Sequence, residues 1–203
     1  MLIDLTDLVK KYNMNIKGVI HIGGHFGEEY NKYIELGINK QIWFEPLKSN
    51  FETLVENINN RNITCFNTAL GNQTGKINMN VELDNKKQSS SILNPKLHLI
   101  QHPTIRFTET EEVNIDKLDN FNTDTDTYNF INIDVQGYEL EVFKGANKTL
   151  KHIDYIYSEV NRDEVYENCA KVDELDKFLL NYGFSRVETN WACDIWGDAL
   201  YIK

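Results

Sequence analysis

Short β-branched runs alternate with amphipathic stretches along most of this chain. Leu2, Leu5, Leu8, Val9 and Tyr12 recur at helical spacing, which predicts a helix within residues 1–14 that covers part of a sheet. Residues 18–22 are apolar and few, as a buried parallel strand requires. His25 to Leu36 then places Phe26, Tyr30, Tyr33 and Ile34 on one helical face. A strand at 41–44, a helix at 48–59 with Phe51, Leu54, Val55 and Ile58 inward, and a strand at 63–67 continue the series. Strand and helix in alternation predict a parallel sheet.

Between residues 71 and 115 the pattern changes. Residues 76–83 can extend after a glycine-bounded turn, 84–91 is polar with three consecutive serines, 93–101 suits a short helix before Pro103, and 108–115 alternates like a strand. This region reads as an insertion that supplies substrate loops. A polar loop at 119–129 leads to a strand at 128–134 that ends in Asp134. A helix at 138–150 with Leu140, Val142, Phe143 and Leu150 inward, a strand at 153–160, and a helix at 172–182 stopped by Gly183 come next. Residues 184–188 and 199–202, joined by a loop at 189–197, can pair as an antiparallel hairpin. The expectation is one α/β domain over residues 1–203. Its sheet is mostly parallel and seven-stranded, with an antiparallel C-terminal edge hairpin and helices on both faces.

Composition narrows the partners. With 203 residues and 41% hydrophobic content the chain can bury one sizeable core. A net charge of −10 argues against a surface that tracks phosphates, so no nucleic-acid partner is expected. Cys65, Cys169 and Cys193 are odd in number and lack metal-like spacing, so they read as reduced thiols of an intracellular protein. The N-terminal residues lack a basic region followed by an apolar core, and no apolar run approaches the ~18 residues of a membrane span. A soluble, cytoplasmic protein is expected, with no membrane partner.

The chemistry concentrates where the first strand opens into a helix. Val19-Ile-His-Ile-Gly-Gly-His-Phe-Gly27 supplies glycines where a backbone must approach a ligand, and Glu45 closes the next strand, where an acid can accept ribose hydroxyls. A nucleoside cofactor fits. The dinucleotide fingerprint counted from Gly23 would need glycine at His25 and Glu28, and both fail. Glu28 and Glu29 near the helix start would repel a pyrophosphate but not the cationic groups of S-adenosylmethionine. S-Adenosylmethionine is therefore preferred over NAD.

These residues resemble the FkbM-type S-adenosylmethionine-dependent methyltransferases. The likeness is carried by Val19 to Gly27, by Phe44-Glu45-Pro46, by Asn67-Thr-Ala-Leu-Gly71 and above all by Ile131-Asn-Ile-Asp-Val-Gln-Gly-Tyr-Glu-Leu-Glu-Val-Phe-Lys-Gly-Ala146. The resemblance implies a Rossmann-like class I methyltransferase fold and O-methylation of a hydroxyl on a sugar, glycan or small natural product. It gathers His21, Gly23, Gly24, His25, Gly27, Glu45, Asn67, Ala69 and Asp134 around the cofactor. His21 and Gln136 stand where the family often has an acid.

Asp134, at a strand's carboxyl end, can meet the cofactor's amino group, take a substrate proton or bind a cation; capping the next helix is its structural alternative. With Glu159 and Gln136 it forms the expected catalytic group, Gln136 as a hydrogen-bonding positioner. Asp134, Glu159 and Asn161 form an oxygen set that suits Mg²⁺ or another hard divalent cation. Glu139 reads as a first-turn acid favouring the helix dipole. Arg162, His98, His102, Trp191, Trp196 and Ser89 to Ser91 are candidates for the wall around a small-molecule or glycan acceptor. Other functions compatible with the fold are an NAD-linked oxidoreductase, a cap-type RNA methyltransferase and a methyltransferase-like binding module without turnover. The edge hairpin and the N-terminal helix offer surfaces for a homodimer.

Overall fold

Alternate residues of each central strand face opposite ways, and each set has its own helices to pack against. The computed structural model describes residues 2–123 and 126–203, so positions 124 and 125 of the predicted loop lie outside the described residues. The elements are α1 (Leu5–Tyr12), β1 (Gly18–Ile22), α2 (Tyr30–Glu35), β2 (Lys40–Phe44), α3 (Lys48–Ile58), β3 (Thr64–Phe66), β4 (Ala69–Leu70), β5 (Gly75–Glu82) and α4 (His98–Gln101). They continue with β6 (Phe107–Asp116), β7 (Phe130–Ile133), α5 (Glu139–Lys144), β8 (Tyr155–Asn161), α6 (Val172–Leu180), β9 (Ser185–Ala192) and β10 (Trp196–Ile202).

The main sheet runs β3-β2-β1-β7-β8-β10-β9. Its first five strands are parallel, and β10 runs antiparallel to both β8 and β9. Ile20, Ile22, Ile42, Phe44, Ile131, Ile133 and Ile156 pack with Val142, Phe143, Leu175 and Leu179 of α5 and α6. From the opposite face Val19, Trp43, Phe130 and Tyr157 meet Leu5 and Leu8 of α1, Tyr33 of α2, and Leu54 and Ile58 of α3. The period of two along each strand thus builds both halves of the core.

Several expected elements are corrected. The helix expected from His25 starts only at Tyr30, because His25 at φ 43 and Gly27 at φ 80 occupy left-handed backbone that no α-helix tolerates. The helix expected to reach Leu150 stops at Lys144, where Gly145 lies so close to Gly71 that a Cβ would sit 1.9 Å from the Gly71 carbonyl oxygen. Only His98–Gln101 of the expected 93–101 helix forms, since Pro95 bridges to Tyr166 as a strand-like pair. The loop expected at 189–197 is mostly strand. Cys193 and Asp194, both at positive φ, turn the chain within a few residues. The 71–115 insertion is a second sheet of order β4-β6-β5, with a covering loop between β5 and α4. No helix among the described residues is long and apolar enough to cross a membrane.

Candidate active site

The carboxyl ends of β1, β2 and β7 converge because two glycine-rich contacts let them. Gly23 at φ 87 sits so near β7 that a Cβ would fall 1.9 Å from the Asp134 carbonyl oxygen. Its N–H and that of Gly24 both donate to the Phe44 carbonyl, at 3.0 and 2.9 Å. The missing Cβ atoms of Gly24 and Gly27 make room for Trp43 and Leu54, and for Leu54, respectively. They pack the turn on α3 and line none of the three chambers described below.

His25 fastens this turn. Its backbone N–H donates to Glu45 Oε2 at 2.9 Å, its Nδ1 lies 2.7 Å from Glu28 Oε1 and its Nε2 lies 2.9 Å from the Lys86 carbonyl. The two ring partners only accept, so both ring nitrogens carry protons. Burial works against that charge, but Glu28 and the Lys86 carbonyl outweigh it and raise the pKa above 6.5. A raised pKa means the latch contributes fully below 6.5 and is lost as pH climbs through the folded-state value. Amide exchange across residues 84–91, corrected for its intrinsic pH dependence, is therefore expected to show a protection step above pH 6.5 that His25→Gln abolishes. An identical step in that variant would refute the latch.

Three chambers open along the strand ends. The first is lined by Ile22, Phe44, Leu70, Met79 and Tyr138 together with Gly23, His25, Glu45, Thr68 and Ala69. Glu45 is buried and accepts from His25 N and Leu47 N, both at 2.9 Å. Burial pushes its carboxyl up to about 7 against those two donors. Asn67 clamps the turn, its amide donating to the Glu45 and Pro46 carbonyls at 2.9 and 2.8 Å, and Thr68 and Ala69 line the chamber.

The second chamber is polar and takes His21, Glu28, Glu29, Tyr157, Glu159 and Asp198 as walls. His21 stacks on Trp43 with ring centroids 4.1 Å apart, and burial lowers its pKa to about 3, so the ring is neutral. Asn132 Nδ2 donates to Tyr33 Oη at 2.5 Å, leaving the tyrosine proton for His21 Nδ1 at 2.8 Å. This relay assigns the imidazole proton to Nε2, which lies 3.9 Å from Glu29 Oε2. Where an acid would accept, this chain presents a neutral donor.

The third chamber includes His98, Gln101, His102, Trp196, Gln136 and Glu159. Asp134 and Gln88 line all three. Arg162 and Trp191 line none of them and stack on each other instead, guanidinium to ring centroid 3.9 Å. Ser89 reaches the third chamber and Ser90 the first, while Ser91 donates to the Gln136 carbonyl at 2.7 Å.

The carboxylates of Asp134, Glu139 and Glu159 bring one oxygen each within 4.8 Å of one another. Asn161 is buried, has neither amide atom hydrogen-bonded, and lines none of the three chambers. Glu139 is no mere dipole partner: it is buried and Oε1 accepts from the N–H groups of Val135 and Gly137, both at 3.1 Å. Burial and the nearby Asp134 raise it to about 7 despite those donors. Glu159 is pushed well above the usual carboxylate range by burial, Asp134 and Glu139. Gln136, at φ 55, sets its Nε2 between Asp134 Oδ1 at 2.7 Å and Glu159 Oε2 at 2.9 Å, and accepts from Tyr166 Oη at 2.7 Å. An amide is the side chain that can donate to two carboxylates at once without adding a charge. Asp198, opposite Glu159 in the β8–β10 pairing, extends the acidic wall. A lone acid inside an otherwise buried strand was its signal in the sequence.

A Rossmann-like fold with a cleft across the carboxyl ends of its parallel strands is the class that this sheet defines. Solved structures share the fold. Sp1610 of Streptococcus pneumoniae superposes with a TM-score of 0.57 at 13% identity, covering 100% of this chain and 70% of that one. Magnesium protoporphyrin IX methyltransferase (ChlM) of Synechocystis PCC 6803 with bound SAH superposes with a TM-score of 0.54 at 10% identity, over 98% and 78%. The chain belongs to the FkbM methyltransferase family, its residues 21–186 matching the family model described as methyltransferase FkbM domain. Among curated relatives, the 2-O-methyltransferase NoeI of Sinorhizobium fredii (strain NBRC 101917 / NGR234) is 29% identical over 181 residues, 83% of this chain and 74% of that protein.

Proposed function

We propose that this methyltransferase uses S-adenosylmethionine to methylate a hydroxyl of a sugar, glycan or small natural product, with Asp134 as the base. The observation that carries the reading is the place of Asp134, the one side chain besides Gln88 shared by all three chambers. The likeness to a 2-O-methyltransferase supports an oxygen acceptor.

The cleft suits the cofactor by chemistry. An apolar floor with the Glu45 acceptor fits an adenosine, and the acids of the second chamber fit a cationic amino acid end, with His21 Nε2–H as a donor for its carboxylate. S-Adenosylmethionine supplies an electrophilic methyl group whose leaving sulfur departs opposite the attacking oxygen. The protein aligns the hydroxyl for that attack, and Asp134 removes its proton. Asp134 is the exposed member of the carboxylate trio; Glu139 and Glu159 are buried. Gln136 therefore orients the base by donating to Asp134 and Glu159 together.

A divalent cation is not required by this scheme. The position between Asp134 and Glu159 is filled by the Gln136 amide, and Glu139 Oε1 already serves two backbone donors. Turnover is expected to persist in EDTA and to gain less than about twofold from added Mg²⁺. Loss of activity in EDTA with recovery on Mg²⁺ would replace the amide with a metal in the scheme. The function itself is tested by methyl transfer from labelled S-adenosylmethionine to glycosides and to capped RNA. Transfer to RNA alone would overturn the acceptor class.

A further inference from the structure

Two consecutive residues other than glycine, Lys86 at φ 57 and Lys87 at φ 66, hold left-handed backbone in the covering loop between β5 and α4. Such conformations are costly and persist only where surrounding contacts impose them. Contacts on both sides do so here. His25 Nε2 lies 2.9 Å from the Lys86 carbonyl, Lys87 Nζ donates to Ser49 Oγ at 2.9 Å, and Tyr166 Oη lies 2.9 Å from the Ser89 carbonyl. The residue delivered between them is Gln88. It lines all three chambers, a placement it shares only with Asp134.

The Gln88 amide has a fixed sense. Its Oε1 accepts from Asn85 Nδ2 at 3.2 Å, and its backbone N–H donates to the Asn85 carbonyl at 3.1 Å. Asn85 is held in turn, because its own N–H donates to Oε2 of the buried Glu82 at 2.8 Å. The carbonyl end of the Gln88 amide is therefore taken. Its Nε2 hydrogens, without a partner among the described residues, are the end offered where the chambers meet.

Oxygen and nitrogen nucleophiles answer a base and a donor differently. A hydroxyl has one proton for Asp134 and two lone pairs, so one pair can attack the methyl group while the other accepts from an N–H. A neutral primary amine has two protons and a single lone pair. Once that pair is committed to the methyl group, the nitrogen faces the donor with nothing to offer it, and the donor is left unpaired.

We infer that Gln88 Nε2 orients the reacting oxygen against Asp134 and selects hydroxyl acceptors over amines, with Asn85 setting the sense of the amide. In the step so aligned, an oxygen lone pair forms the bond to the methyl carbon, the carbon–sulfur pair stays on sulfur and the proton goes to Asp134. The inference rests on the proposed methyl transfer to a hydroxyl and adds the residue that enforces that choice.

A crystal structure with S-adenosylhomocysteine tests the placement without any acceptor. An ordered water in the place of the acceptor oxygen is expected within hydrogen-bond distance of both Gln88 Nε2 and an Asp134 carboxylate oxygen, and it should be lost in Gln88→Leu. The choice of nucleophile is tested by transfer from saturating S-adenosylmethionine to methyl pyranosides and to the same sugars bearing a free amino group, above the pKa of the amine. Gln88→Leu should lower the alcohol rate at least about tenfold, the worth of one hydrogen bond made in the transition state, and leave amine transfer equal or faster. Asn85→Ala should raise the amine-to-alcohol ratio, because the amide can then turn its oxygen inward. General damage to the loop would lower both rates together. An alcohol rate that Gln88→Leu leaves intact, an equal loss of alcohol and amine transfer, or a water held by Asp134 with Gln88 turned away would overturn the assignment. A bridging water in place while the unaltered protein methylates no alcohol would instead sink the proposed reaction and leave the placement of Gln88 standing.

Discussion

Asp134→Asn is expected to lower turnover by at least about 10²-fold, the lower end for a positioned general base. Asparagine keeps the shape of the side chain, and its carbonyl oxygen can still accept from Gln136 Nε2, so the bridge to Glu159 survives. What disappears is the capacity to take a proton at ordinary pH. The loss should therefore fall on kcat, with S-adenosylhomocysteine affinity changed only a few-fold. Single-turnover rates measured with saturating cofactor separate the two effects. Near-normal turnover would remove Asp134 from the chemistry and leave it a structural acid beside β7.

Glu45→Ala should weaken S-adenosylmethionine binding by about 10²-fold or more. Two hydrogen bonds to a charged acceptor, at about 1.5 kcal/mol or more apiece, correspond to that factor. Burial adds a second loss. The Glu45 carboxylate holds the N–H groups of His25 and Leu47, so alanine leaves two backbone donors unmet and lowers the melting temperature as well. Glu45→Gln separates the roles, since its amide oxygen restores one acceptor and part of the stability without restoring the carboxylate. The pH dependence has opposite signs for the two properties. A carboxyl raised from 4.5 to about 7 contributes to folding fully below pH 4.5 and loses that contribution as pH rises through 7. Cofactor affinity moves the other way, because the ribose hydroxyls need the ionised form. Calorimetry should show tighter binding at pH 8 than at pH 6. Unchanged affinity in Glu45→Ala would withdraw the ribose role.

The parts of the fold set by local chemistry were legible in the chain. Short apolar runs marked β1, β2 and β7, and the Gly23 turn with Glu45 and Asp134 marked the strand ends where the cleft lies. Elements set by distant contacts were not. Gly145 after the break at Lys144 packs on Gly71, a neighbour only in space, and the hairpin turn uses Cys193-Asp194 rather than a glycine pair. Glu139 looked like a helix-end acid because its two backbone partners come from the loop before it. Asn161 shares the strand end of Glu159, and the third carboxylate gathered with Asp134 and Glu159 comes from α5, far along the chain from β8. His98 was one of several candidates for the acceptor wall, whereas Gln101, which lines the third chamber beside it, gave no signal, since a polar residue in a short helix ordinarily faces water.

The amide at Gln136 has one more effect. A carboxylic acid at that position would have to share a proton with Asp134 or Glu159, and the arrangement of the base would then change whenever that proton left. Amide hydrogens do not come off anywhere in the physiological range. The donor that aims Asp134 therefore keeps its hydrogens whatever the acidity of the surroundings.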